Sequence, residues 1–151
     1  DVDADVSLYN TGGIRAETSA GDLTIGDVYA ASPSDHVLSI ATMKGRDLKT
    51  LFDYVASSGG MPVNAGVRLV ISGDKVKSVT VNGRQIEDNK DYKIATIDYL
   101  MNLGRYGLQN ATSRNDSPDI IRDCFVDYFR HLAEENGGKI TAEKDGRIVK
   151  N

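Results

Sequence analysis

Acidic and apolar residues alternate through positions 2–9, and within that run Val6-Ser7-Leu8 reads as a strand. Asn10-Thr11-Gly12-Gly13 interrupts it with turn chemistry. Residues 24–29 predict a short helix, capped by the Thr24 side chain and stopped before Pro33. The apolar run from His36 through Thr42 reads as a buried strand. Leu48, Leu51, Phe52 and Val55 recur at i, i+3, i+4 and i+7, which predicts a helix over 46–56 with one apolar face. Ser57-Ser58-Gly59-Gly60-Met61-Pro62 is a loop, and strands are expected at 67–71 and 76–81. Asn82-Gly83 then supplies a type I′ turn into Arg84-Gln85-Ile86, and residues 92–97 give another strand.

Residues 103–116 are polar and read as a mobile stretch. After them a helix is expected to begin with Ser117 as N-cap, Pro118 in the first turn and Asp119 at the positive end of the dipole. Its apolar face would be Ile120, Ile121, Cys124, Phe125, Tyr128 and Leu132, with Gly137 ending it. Residues 139–143 and 147–149 are expected to close the chain as a hairpin around Asp145-Gly146. Strands and helices mix without strict alternation. That order points to a single α+β domain over 1–151, with a mixed sheet and flanking helices.

Length is compatible with this, since 151 residues support one domain with a core. A net charge of -4 argues against a nucleic acid polymer as partner, because phosphate backbones call for a basic surface. No apolar run reaches the length of a membrane span. No signal-peptide pattern opens the chain, which reads as a mature form, a trimmed form or a fragment. Cys124, the single cysteine, excludes an internal disulfide and reads as a small buried hydrophobe on its helix face.

Catalytic chemistry is thin. His36 and His131 belong to no His-x-x-His or Asp-x-His pair, so no two-metal centre can be assembled from them. No Gly-x-Ser-x-Gly nucleophile elbow is present, and the carboxylates scatter through loops and hairpins. Asn10-Thr11-Gly12-Gly13-Ile14-Arg15 is the segment that stands apart. Paired glycines allow close backbone approach and expose N–H groups, and the Arg15 guanidinium is a planar fork suited to phosphate or carboxylate. Asn10 can both donate and accept, as a ribose hydroxyl or base edge requires. The same residues also make an ordinary strand-to-loop turn with a surface arginine, and local chemistry leaves both readings open.

Four blocks in register resemble the 5'-nucleotidase C-terminal domain family. Residues 4–16 resemble its Ala-Asp-(apolar)-Asn-x-Gly-Gly-Ile-Arg motif, and residues 21–29 its Gly-x-Ile-Thr-x-Gly-Asp-Val. Met43-Lys44-Gly45-Arg46-Asp47-Leu48-Lys49 is similar to a third block. Val81-Asn82-Gly83 with residues 92–100 is similar to the closing Val-Asn-Gly…Tyr-x-Val-Ala-Thr-x-Asp-(Tyr/Phe)-Leu. The resemblance implies a substrate-recognition domain that binds a nucleotide or related phosphate ester. Hydrolysis would fall to a metallophosphoesterase domain, fused or separately encoded, that holds divalent metals; this chain would hold no cofactor and no metal.

Carried over by position, Asn10, Gly12, Gly13 and Arg15 would contact substrate, with Arg15 on the phosphate. The family clamps the base between two rings. Here Ser34 follows Pro33 where one ring is expected, and Leu103-Gly104-Arg105-Tyr106-Gly107 offers Tyr106 for the other. The resemblance further implies a leading helix before Asp1 and a periplasmic or cell-surface location. Its alternative is a stand-alone nucleotide or phospho-ligand binding module with no catalytic role.

Overall fold

The computed structural model describes residues 2–151. The strands are β1 (Val6–Ser7), β2 (Val37–Lys44), β3 (Val67–Ser72), β4 (Lys75–Val81), β5 (Arg84–Gln85), β6 (Asp91–Ile97), β7 (Ser113–Ile120) and β8 (Ile148–Lys150). The helices are α1 (Ile25–Ala31), α2 (Gly45–Ser57), α3 (Asp98–Leu103) and α4 (Ile121–Glu135). Among the described residues the strands form two four-stranded sheets, in the orders β1-β6-β2-β7 and β5-β4-β3-β8. In the first, β2 runs antiparallel to β6 and β7 while β1 is parallel to β6. The result is one α+β domain of mixed sheets with flanking helices.

Helix α2 joins the two sheets. Its Leu48, Leu51, Phe52 and Val55 are all buried, so the apolar stripe read from spacing is the core face. It packs on β2 and β6 of one sheet and on β4 of the other. Its first residue, Gly45, donates its N–H to the Lys90 carbonyl at 2.9 Å. A Cβ there would collide with the Glu87 backbone carbonyl, so glycine is required by close approach. Thr24 and Asp27 form a complete capping box at the start of α1. Asn82 and Gly83 take φ 51° and 77°, the two left-handed positions of a type I′ turn.

Four expectations are corrected. Ser117, Pro118 and Asp119 do not open a helix; they lie in β7, and α4 starts at Ile121. Val37 pairs with Ile120 and Ser39 with Asp116, so 117–119 form a bulge on an edge strand, where a proline costs no ladder bond. The Ser117 hydroxyl does accept the Asp119 N–H at 3.2 Å, the bond a cap would make, here closing a local turn. The stretch 103–116 is accordingly in part structured, with a 3₁₀ turn at Leu108–Asn110 and the first half of β7.

The closing hairpin is also absent. Residues 139–146 form no strand, and β8 instead runs parallel to β3, with Leu69 opposite Ile148. The exposed hydrogen-bonding edge of β3 was free to accept it. Finally, Cys124 is half-buried rather than buried, and the α4 residues that are buried are Ile121 and Val126. The helix lies against α1 and β7 at the sheet's edge. Phe125 and Tyr128 border an apolar cavity of about 480 Å³ together with Leu38 and Ile97. That leaves Tyr128 56% exposed.

Candidate functional site

The Asn-Thr-Gly-Gly segment folds as a 3₁₀ turn, Thr11–Gly13, directly after β1. Asn10 caps it: its Oδ1 accepts the Gly12 N–H at 3.2 Å, and its carbonyl accepts the Gly13 N–H at 2.9 Å. Both glycine N–H groups are therefore spent inside the turn and are not offered to a ligand, contrary to the expectation from sequence. Asn10 keeps its side-chain amide donors. Gly13 has a structural reason as well, since a Cβ there would stand 2.8 Å from the Tyr9 hydroxyl. That hydroxyl is 2.9 Å from the buried Ser32 Oγ. Arg15 is exposed, and its backbone N–H is anchored to the Ala31 carbonyl at 2.8 Å. The structure thus places Asn10, Gly12 and Gly13 in one capped turn, with the exposed Arg15 two residues past it and held by its backbone at the end of α1.

Beside Thr11 a cavity of about 580 Å³ opens between Gly59-Gly60 and the segment leading into β8, with Lys144, Arg147 and Lys150 among its walls. Arg147 is committed to Asp145 and to the Val63 carbonyl.

Tyr106 is held elsewhere. Its ring stacks on Tyr54 with centroids 3.6 Å apart and planes 7° from parallel. Its backbone is left-handed, at φ 63°. One face of the ring is covered, so it has at most one to give a ligand. Burial, followed by the neighbouring Tyr106 and Tyr99 hydroxyls, raises the Tyr54 pKa above its ordinary value.

Tyr99 was missed by sequence reasoning. It opens α3 just past β6 and is 41% exposed, with its ring 5.3 Å from that of His36. Asp98 orders both partners, since its Oδ1 accepts the Val37 and Tyr99 N–H groups and lies 3.1 Å from His36 Nδ1. The signal was present: a tyrosine following an aspartate at a strand end, inside a matched block. The strand read from the sequence stops at Ile97, so Tyr99 fell outside every predicted element and its exposure was not assigned. Ser34 lies in the loop between α1 and β2 that leads to this pair.

Among the described residues no three of His, Cys, Asp and Glu are grouped so as to hold a metal ion. No helix is long and apolar enough to cross a membrane. Chemically, the exposed Arg15 offers a charged planar fork and the exposed Tyr99 a ring face.

The family model for the 5'-nucleotidase C-terminal domain matches residues 1–113. The chain belongs to that family. Among its relatives, the protein UshA of Yersinia enterocolitica is 34% identical over 128 residues, covering 82% of this chain and 22% of that protein. A 5'-nucleotidase of Vibrio cholerae is 29% identical over 128 residues, with the same coverage of 82% and 22%. The chain thus spans about a fifth of the length of these curated relatives. The crystal structure of a 5'-nucleotidase precursor from Thermus thermophilus superposes with a TM-score of 0.85 at 24% identity, covering 97% of this chain and 31% of that one. That likeness is one of fold.

Proposed function

We propose that this domain binds a nucleotide or related phosphate ester and presents it to a metallophosphoesterase domain, fused or separately encoded, which supplies divalent metals and hydrolysis. The observation that carries the reading is the exposed Arg15, tied by its backbone to Ala31 just past the turn that Asn10 caps, within the matched family block. A fixed backbone lets the guanidinium meet phosphate oxygens bidentately without ordering a loop first. Asn10, through its free amide donors, and the Gly12-Gly13 surface would line the approach. Tyr99 and the open face of Tyr106 would supply the aromatic surface for the base. The name of a relative, 5'-nucleotidase, agrees with such a substrate class. A periplasmic or cell-surface location goes with the same reading.

Titration of the purified chain with AMP and with inorganic phosphate by calorimetry tests this. Arg15→Ala should weaken AMP about ten- to a hundredfold, the worth of one charge-assisted contact. Arg15→Lys should recover only part, because an ammonium lacks the fork. Equal affinity of the wild type and Arg15→Ala for both ligands would remove the site. Mn²⁺-, Co²⁺- or Zn²⁺-dependent hydrolysis by this chain alone would overturn the division of labour.

A further inference from the structure

The loop between α1 and β2 is fastened to α4 by one side chain. Arg122 Nη1 donates to the Pro33 carbonyl at 3.2 Å and to the Asp35 carboxylate. Its guanidinium carbon lies 5.1 Å from the centroid of the Tyr29 ring in α1. The Tyr29 hydroxyl in turn donates to Asp123, the next residue of α4, at 2.8 Å. Beyond Asp35 the backbone is tied at two further points: the His36 carbonyl accepts the Ile121 N–H, and the Val37 N–H reaches Asp98. Arg122 is mostly covered, with a side-chain exposure of 21%, whereas Asp35 is 77% exposed. An exposed carboxylate pulled onto a covered arginine is a clamp on the loop, since a surface ion pair alone would not hold it.

We propose that Arg122 is a positioning residue for ligand binding: by fixing residues 33–35, directly before the His36 that Asp98 bonds, it works with Asp98 to keep His36 against Tyr99 and so sets the aromatic surface on which a base stacks. This rests on the nucleotide-binding reading given above. Arg122 touches no ligand itself. It acts through the loop, and three of its features suit arginine, the first of which lysine cannot reproduce. The planar head lies over a tyrosine ring, one nitrogen serves two acceptors, and the charge is permanent.

Two measurements on the full chain separate this inference from the reading beneath it. In the ligand-free protein, nuclear Overhauser contacts between the His36 and Tyr99 rings should be strong in the wild type, weakened in Arg122→Ala and only partly restored in Arg122→Lys. In calorimetry, Arg122→Ala should weaken AMP about tenfold, the worth of one stacked base, with inorganic phosphate affinity unchanged. A purely structural role would lower thermal stability and leave the ratio of the two affinities as it was. Should Arg122→Ala fail to fold, Asp35→Ala removes the carboxylate from the same clamp at its exposed end and carries the same expectations. Intact ring contacts in the variants, or an unchanged AMP-to-phosphate affinity ratio, would overturn the inference. If the wild type binds neither ligand while the ring contacts still depend on Arg122, the nucleotide reading falls and the clamp on the loop stands.

Discussion

The ring of Tyr106 lies flat on that of Tyr54, with centroids 3.6 Å apart and planes inclined by 7°. The neighbouring Gly107, at φ 87°, packs so closely on the Asp47 backbone that any side chain would collide with its carbonyl. A ring held this way is part of the packing of α2 before it is anything else.

From this follows a division between two tyrosines. Tyr106→Ala should lower stability by about 1–2 kcal/mol through the lost stack and its burial, and should affect nucleotides only modestly. Tyr99→Ala should leave the melting temperature nearly unchanged and weaken AMP about tenfold while sparing inorganic phosphate. Paired thermal melts and titrations of the two variants check this. The opposite pattern, with Tyr106 the larger binding residue, would return the base to the ring expected from the sequence.

Gly45→Ala should destabilise the domain by roughly 2 kcal/mol or more, although alanine is the better helix former. The added methyl meets the Glu87 backbone carbonyl, which cannot move without breaking the Gly45 to Lys90 bond. Urea denaturation of the variant measures it; a stability equal to wild type would mean that the turn after β5 is free to shift.

Acid should loosen β7 through Asp116. Hydrogen bonds from Arg114 and then from Ser39, whose hydroxyl lies at 2.5 Å, hold its carboxyl below the usual range. A depressed folded pKa contributes stability that is present above the unfolded value, near pH ~4, and is lost as pH falls through the folded value. Asp116→Asn should therefore be less stable at neutral pH and should show a flatter acid limb in stability measured from pH 6 downward. Parallel acid limbs in the two proteins would count against the pairing.

Cys124 has its thiol pushed up, by burial first and then by Asp119 and Asp127. Less thiolate is present at a given pH than in a free cysteine, so labelling by a thiol reagent at neutral pH should be slower than for a free thiol. The rate should climb as pH rises toward and past the raised value. Labelling as fast as for a small-molecule thiol would show that α4 opens readily.

Much of the fold was legible because it rests on local patterns. The spacing of Leu48, Leu51, Phe52 and Val55, the Thr24 cap and the Asn82-Gly83 turn each encode their geometry within a few residues, and each element forms where the pattern put it. The charge of Arg15 and the turn that carries it were equally visible, because an Asn-Thr-Gly-Gly sequence bonds to itself.

What pattern alone could not decide was which partner a segment would choose. Ser117-Pro118-Asp119 carries the bonds of a helix cap, yet β2 claims the flanking residues and turns the same bonds into a bulge. Residues 147–149 looked like half of a hairpin and instead found the open edge of β3, far away in the chain. The neighbours of the Tyr99 and Tyr106 rings, and the hold of Arg122 on the loop before β2, were likewise settled by contacts between residues distant in sequence. Local propensity ranks the conformations a segment can adopt, but the burial and hydrogen bonds that select one come from whatever the fold places beside it.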